Sequence, residues 1–443
     1  LLLLLLGACG GGTEPTVEAP LRPHIFLISL DTLRQDHVGF HGYERDTTPV
    51  LDELARSSLI FERAYTTASF TLIAHMSLLT GMYPNQHGVL KPRTLLPEEI
   101  PTLAQRLEAE GYHTMGFYFP GWLDETYGFG RGYDHYESHR TAEEAEEHLL
   151  AGLDQAPEDE PLFCFVHLFD IHNAPLGRNQ GVVYDPPDPY GQCFVEDARE
   201  RLATLDGREI WRKDGTGVSE SQHEAIVGMY DGGIRYVDTK LGEWIEELRG
   251  RGLFEGSLFI VTSDHGEGLL QRTSSYGGHG GTFEEGLLVP FLVRFPDGRF
   301  AGERVAEPVS HVDLMPTLLA YLGLSADERL PGFSLLDGRP PRVPVFAERP
   351  GTDTTIHWPW KLVQRTGDER STLYNLEQDP RETRNLLLRS SRQEYAERLE
   401  SLRELSEHCL ERRFQPQEAA ATTESASEET RKLLRDLGYA DGG

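Results

Sequence analysis

Thr71, in "TLIAHMSLLTG", stands at the start of a predicted helix, with His75 four residues on and on the same helical face. The ordinary roles are a capping hydroxyl and a satisfied core histidine. A helix N-terminus is also an anion site. A hydroxyl placed there beside a bound cation can be deprotonated and attack phosphorus or sulfur. Asp264 and His265 stand together in "TSDHGE", where a carboxylate and an imidazole in one turn can reach the same divalent ion. Asp31 ends another apolar run, and His167, Asp170 and His172 end a third. His279, in "YGGHGGTFEEG", has glycines that let the backbone approach a ligand. It is a candidate for a second metal or for the substrate anion.

Those residues need elements that converge. "HIFLISLD" (24–31) is a continuous apolar run ending in an acid, as a buried parallel strand does when its carboxyl end reaches a functional edge. "HTMGFYF", "LFCFVHLFD", "LFIVTSDHGE" and "PFLVRF" read the same way. Between them "LDELARSS", "TLAQRLEAEGY", "IRYVDTKLGEWIEELRGRGL" and "VDLMPTLLAYLGL" carry helical spacing, the last despite Pro316. Strands alternating with helices predict an α/β doubly wound sheet, with ligands beyond the carboxyl ends of its strands. A long connection runs from about Asn173 to Ser221; loops of that length are usually functional covers or poorly ordered.

The organisation predicted is a tether over 1–20, a catalytic domain over 21–340, a small antiparallel α+β subdomain over 341–413, and a linker with a terminal helix over 414–443. "LLLLLLGACGGG" reads as the remnant of a signal peptide, too short to span a membrane. Leu6-Gly7-Ala8-Cys9 resembles a bacterial lipoprotein processing box. It predicts lipidation at Cys9 and an exported protein anchored facing the periplasm or cell surface. A net charge of −30 leaves no basic surplus to neutralise phosphates, so nucleic-acid binding is not expected. Cys164 reads as a buried small hydrophobe, and whether Cys193 pairs with Cys409 is open.

Several segments together resemble the sulfatase family of the alkaline phosphatase superfamily: "SLDTLRQDHVGFHGY", "SLLTGMYPNQHGV", "YDGGIRYVDTKLG", "VTSDHGEG", "GHGGTFEEGLLVPFLVRFP", "HVDLMPTLL" and "LYNLEQDPRETRNL". The resemblance implies an alkaline-phosphatase-like doubly wound sheet flanked by helices. It implies a metal-dependent ester hydrolase with Asp31, Asp264 and His265 as ligands, joined by the Thr71 oxygen. Zn, Mn or Ca would serve, as one or two ions. His279 falls where sulfatases usually carry a substrate-binding lysine. Asp170, His172 and His279 would form a second metal site by analogy with two-zinc phosphodiesterases, although D-x-H here differs from their D-x-x-x-H. His167 and His172 would otherwise contact the substrate anion.

One departure matters. Sulfatases write the Thr71 stretch as C-x-P-S-R-x-S-L-L-T-G, and their Cys or Ser becomes formylglycine. Anchored on Ser77–Gly81, this chain has Thr71 at that place, Ile73 for Pro, Ala74 for Ser and His75 for Arg. No formylglycine is expected. A formylglycine hydrate expels sulfate by collapsing to the aldehyde, which a threonine cannot do, whereas a phospho-threonine is readily displaced in line. The expectation is phosphate-ester chemistry, phosphodiester-type first, through a covalent threonine, with His75 and His279 assisting. A true sulfatase using unmodified Thr71 and a phosphoethanolamine- or phosphoglycerol-type transferase are the alternatives, and a non-catalytic lipoprotein comes last. The substrate would be a small-molecule, glycan or lipid ester.

Overall fold

The computed structural model describes residues 22–91, 94–173, 184–203, 218–271, 279, 281–325, 327–337, 343–365, 371–388, 393–411 and 432. Cys9, the tether over 1–20, and the linker and terminal helix over 414–443 lie outside the described residues, Lys432 excepted. No described helix is long and apolar enough to cross a membrane.

Eight strands form the central sheet, in the order Arg304–Val305, Leu59–Phe61, Phe291–Arg294, Ser257–Thr262, His24–Leu30, Leu162–Leu168, His113–Tyr118, His135–Ser138. The five from Ser257–Thr262 to His135–Ser138 run parallel. Phe291–Arg294, which the sequence groups with the parallel runs, is antiparallel to both neighbours. Its composition cannot distinguish the two, because an apolar run buried on both faces looks alike in either direction.

The alternation along His24–Leu30 divides the core into two layers. Phe26, Ile28 and Leu30 face the helices Pro49–Ala55, Ala142–Gln155 and Glu220–Gly250. Ile25 and Leu27 face the helices Thr71–Thr80, Leu103–Ala109 and Leu314–Tyr321. Helices on both faces make the α/β sandwich expected of a doubly wound sheet. The Glu220–Gly250 helix starts well before the apolar spacing suggests, opened by a capping box at Ser219 and Gln222. Pro316 lies in the first turn of its helix, where no N–H is needed. The long connection contains a short helix, Ala198–Leu202, packed against Glu220–Gly250.

The C-terminal part is a four-stranded antiparallel sheet, Val345–Arg349, Thr352–His357, Trp360–Arg365 and Ser371–Asn375, followed by the helix Ala396–Glu411. Glu348 N–H donates to Thr67 O at 2.7 Å, so this sheet is fastened to the segment leading into Thr71. Cys164, Cys193 and Cys409 form no disulfide with one another.

Candidate active site

Three neighbouring strands of the sheet deliver the polar groups. His24–Leu30 lies between Ser257–Thr262 and Leu162–Leu168, and the three end together in register, Ser29 opposite both Thr262 and His167. Asp31, Asp264, His265 and His167 therefore meet beyond one sheet edge, all buried.

The Thr71–Thr80 helix points its N-terminus at that edge. Every one of its residues is buried. Phe70, not Thr71, holds the N-cap position, and no side chain caps the helix, so Thr71 is the first helical residue and its hydroxyl is not spent on capping. The helix stops at Gly81, at φ 69, where an added Cβ would lie 2.6 Å from Met315 Cβ. Ser77 Oγ and His87 Nε2, 3.0 Å apart, tie the helix to "YPNQHGV".

Thr71 Oγ1 is 3.3 Å from His265 Nε2. His265 Nδ1–H donates to Gly266 O at 2.9 Å, which fixes the tautomer and leaves Nε2 with its lone pair facing the site. Gly266 permits this turn: a Cβ there would stand 2.0 Å from Glu285 O. Asp264 Oδ1 accepts from His265 N–H at 2.7 Å and Thr32 N–H at 3.2 Å. Asp31 Oδ2 is 3.0 Å from His167 Nε2. The remaining oxygens, Asp31 Oδ1 and Asp264 Oδ2, are buried without a hydrogen-bond partner. One ligand atom each from Asp31, Asp264 and His265 lies within 4.8 Å of the others. Two orphaned carboxylate oxygens and an imidazole lone pair fit a divalent cation.

The charges say the same. Burial pushes Asp31 well above the usual carboxylate range. Burial, then the neighbouring Asp31, raises Asp264 to about 7. Burial lowers His265 and His167 to about 4 and His75 to about 3. Without a cation this pocket cannot comfortably hold the anionic carboxylates, and its imidazoles are neutral.

His75 lies beneath this site. Its Nδ1 bonds Thr71 O at 2.9 Å and its Nε2 bonds Ser29 Oγ at 2.9 Å, so it touches the backbone of Thr71, not its hydroxyl. Its Nδ1 is 3.6 Å from Asp264 Oδ2, and with His167 and Asp264 it forms a second group of close ligand atoms. That group shares its only carboxylate with the first.

His279 lies tilted against His265 with ring centroids 4.6 Å apart, and its Nε2 faces His172 Nε2 at 3.3 Å. Burial first, then His265, lowers it to about 3. His172 donates through Nδ1 to Asn173 O at 3.1 Å, leaving Nε2 directed at the space beside the cation site. Asp170 is not brought to that space. Its Oδ1 accepts from Ala142 N–H at 3.3 Å, at the start of the Ala142–Gln155 helix. The chain turns where it leaves the strand, His172 N–H donating to Phe169 O at 2.9 Å, and the turn sends Asp170 to the helix start and His172 to His279.

Two participants escape sequence reasoning. Glu267 is fully buried with both oxygens unpaired, raised to about 8 by burial and then by Asp31. Its place in "DHGE", two residues beyond His265, was the available signal. Thr32 has a positive φ of 59, and a β-branched residue there has no sequence signature.

The sulfatase family model matches residues 23–324. The arylsulfatase of Clostridium perfringens is 24% identical over 87% of this chain and 94% of its own length. Among solved structures, the phosphonate monoester hydrolase of Agrobacterium radiobacter superposes with a TM-score of 0.71 at 22% identity, covering 86% of this chain and 96% of its own. A protein in complex with its substrate D-glucosamine-2-N,6-O-disulfate superposes with a TM-score of 0.69 at 17% identity, over 88% and 98%.

Proposed function

The chain belongs to the sulfatase family of ester hydrolases, and from that premise we propose that it cleaves phosphate esters, phosphodiesters first, through a covalent intermediate on Thr71. The observation that carries this reading is the Thr71 hydroxyl itself: it is free of a capping duty, at a buried helix N-terminus, 3.3 Å from His265 Nε2. Asp31, Asp264 and His265, with the Thr71 oxygen, would hold a divalent cation, which when bound lowers the hydroxyl's pKa and balances charge on the ester. The identity of the ion, and whether there are one or two, stays part of the proposal.

The protein's own groups supply the rest. The Thr71–Thr80 helix turns its N-terminus toward an anion in the pocket and keeps the Thr71 oxygen on the line of attack. As the Thr71 oxygen bonds to phosphorus, the ester oxygen leaves. The facing His172 and His279 nitrogens, neutral at rest, take up the proton that Thr71 loses; the imidazolium so formed steadies the equatorial oxygens and passes the proton to the leaving ester oxygen. Water attacks from the vacated side and restores Thr71. His75 holds the first turn of the helix through Thr71 O, and His167 holds Asp31.

A phosphonate monoester hydrolase among the structural neighbours supports phosphorus chemistry on this fold. Sulfate-ester hydrolysis with unmodified Thr71 is the second reading, supported by the arylsulfatase relative and by the disulfated sugar bound in a neighbour. A glycan or other small ester is then the substrate class. Export as a lipoprotein through Cys9 belongs to the proposal as well and rests on the sequence of the tether.

The test is a rate comparison on purified, cation-loaded protein with aryl phosphodiester, phosphomonoester and sulfate substrates. The diester is expected to turn over fastest, and Thr71→Ala to lose at least about 1,000-fold in kcat with its fold intact. Dominant sulfate release would place the chain with the true sulfatases. Undiminished activity in Thr71→Ala would remove the nucleophile assignment.

A further inference from the structure

The turn that delivers Asp31 holds an unfavourable conformation, and the group restraining it comes from a helix far away in the chain. Leu33 N–H donates to Leu30 O at 3.3 Å, closing a turn with Asp31 and Thr32 at its centre. Thr32 has φ 59, the left-handed region where glycine is the usual occupant and a β-branched residue is crowded. The Thr32 hydroxyl does not compensate, being buried without a hydrogen-bond partner. Its backbone does. Thr32 N–H donates to Asp264 Oδ1 at 3.2 Å, and Thr32 O accepts from the Tyr230 hydroxyl at 2.7 Å. The same Tyr230 oxygen accepts from Arg34 N–H at 2.9 Å, so one hydroxyl bridges both sides of the turn.

Tyr230 is built for that position. It sits in the middle of the Glu220–Gly250 helix and is fully buried. Its ring is braced edge-on by His37, at 5.1 Å between centroids, and by Tyr184, at 5.4 Å. With the ring fixed by packing, the hydroxyl has little freedom to leave the turn.

We propose that Tyr230 is a positioning residue for the cation site: its hydroxyl clasps Thr32 O and Arg34 N–H and thereby holds Thr32 left-handed. Only in that conformation does Thr32 N–H pin Asp264 Oδ1 and leave Oδ2 free for the cation, while Asp31 is presented from the same turn. Tyr230 touches neither carboxylate. The inference rests on the reading of Asp31, Asp264 and His265 as cation ligands.

The test uses the full chain stripped with chelator and titrated with Mn2+ in competition with a fluorescent chelator, near-UV circular dichroism reporting the fold. Tyr230→Phe keeps the ring and removes the clasp. It is expected to weaken Mn2+ binding by about 10- to 100-fold, the range for groups that orient a metal ligand. Thr32→Gly removes the strain, since glycine takes this φ freely. It is expected to bind like the wild type and to make affinity nearly indifferent to Tyr230→Phe. Wild-type affinity in Tyr230→Phe overturns the proposal. So does a Thr32→Gly/Tyr230→Phe protein as weak as Tyr230→Phe alone, because the hydroxyl would then act other than through the turn. Should Tyr230→Phe fail to fold, the double variant decides: folding with restored affinity supports the clasp, and failure to fold overturns it. Wild-type protein that takes up none of Mn2+, Zn2+ and Ca2+ overturns the cation reading itself, and the clasp with it.

Discussion

Two clusters of buried carboxylates in this molecule are balanced in different ways. Where the C-terminal sheet meets the short helix Glu284–Leu287, Glu284 and Glu382 share Lys361, whose fully buried Nζ lies 2.8 Å from an oxygen of each. Tyr65 donates to Glu284 Oε2 at 2.9 Å, and Glu284 N–H donates to Glu382 Oε2 at 2.7 Å. That cluster contains its own cation. At the strand ends Asp31 and Asp264 are as deeply buried, yet the basic groups within 4 Å of them among the described residues are His75, His167 and His265. Burial holds all three uncharged at neutral pH. A buried charge needs a partner. The first cluster therefore carries its own cation, and the second is arranged for a partner from outside.

The largest effect expected from breaking this contrast is at Asp264. Asp264→Asn is expected to lower cation affinity by more than about 100-fold, since even groups that only orient a ligand are worth about 10- to 100-fold. Isothermal titration of chelator-stripped protein measures it. The same change should stabilise the cation-free protein, with a definite sign. Burial, then Asp31, raises Asp264 from 3.8 to about 7. The folded state then holds the proton more tightly than the unfolded chain, so ionising Asp264 costs stability. The penalty is absent below the unfolded value near 3.8 and complete above about 7. In chelator, Asp264→Asn should match the wild-type melting temperature at the acid end of that window and exceed it by several degrees at the alkaline end. No such drift, or the reverse, contradicts the open-cluster reading.

Breaking the closed cluster should act the other way. Lys361→Met leaves Glu284 and Glu382 buried without their cation and is expected to cost about 3–5 kcal/mol in denaturant unfolding. Cation affinity per folded molecule should hardly change. Equal damage to both would mean that the clusters are not separable. The smallest effect belongs to an exposed pair: Arg56 and Glu53, largely in solvent, are joined by an ion pair one helical turn apart. Arg56→Ala should cost no more than about 0.5 kcal/mol. A larger loss would show that burial is not what separates these pairs.

The open cluster was the more legible of the two from sequence. Asp31, His167 and Asp264 each end a run of buried apolar residues, and such runs must lie side by side in a sheet, so their ends converge. Thr71 was placed by register against Ser77–Gly81, and the helix puts it at the same edge. The closed cluster was illegible, because Lys361 in "WKLVQR" reads as one more polar position on a half-exposed strand. Its partners come from 77 positions before it and from beyond the next strand. Asp170 was misleading for a local reason: sequence proximity to His172 says nothing of direction where the chain leaves a strand, and Asp170 turns to a helix N-terminus. The strain at Thr32 and the part of Tyr230 in relieving it depend on backbone torsion and a long-range hydroxyl, neither of which residue type encodes.

In the proposed reaction Thr71 carries the transferred group. The most direct measurement is mass spectrometry of cation-loaded protein quenched in acid during turnover of an aryl phosphodiester, followed by peptide mapping. A phosphoryl ester is expected on the peptide containing Thr71, and none in Thr71→Ala. Turnover with no adduct on that peptide, with Thr71→Ala as active as the wild type, would contradict it.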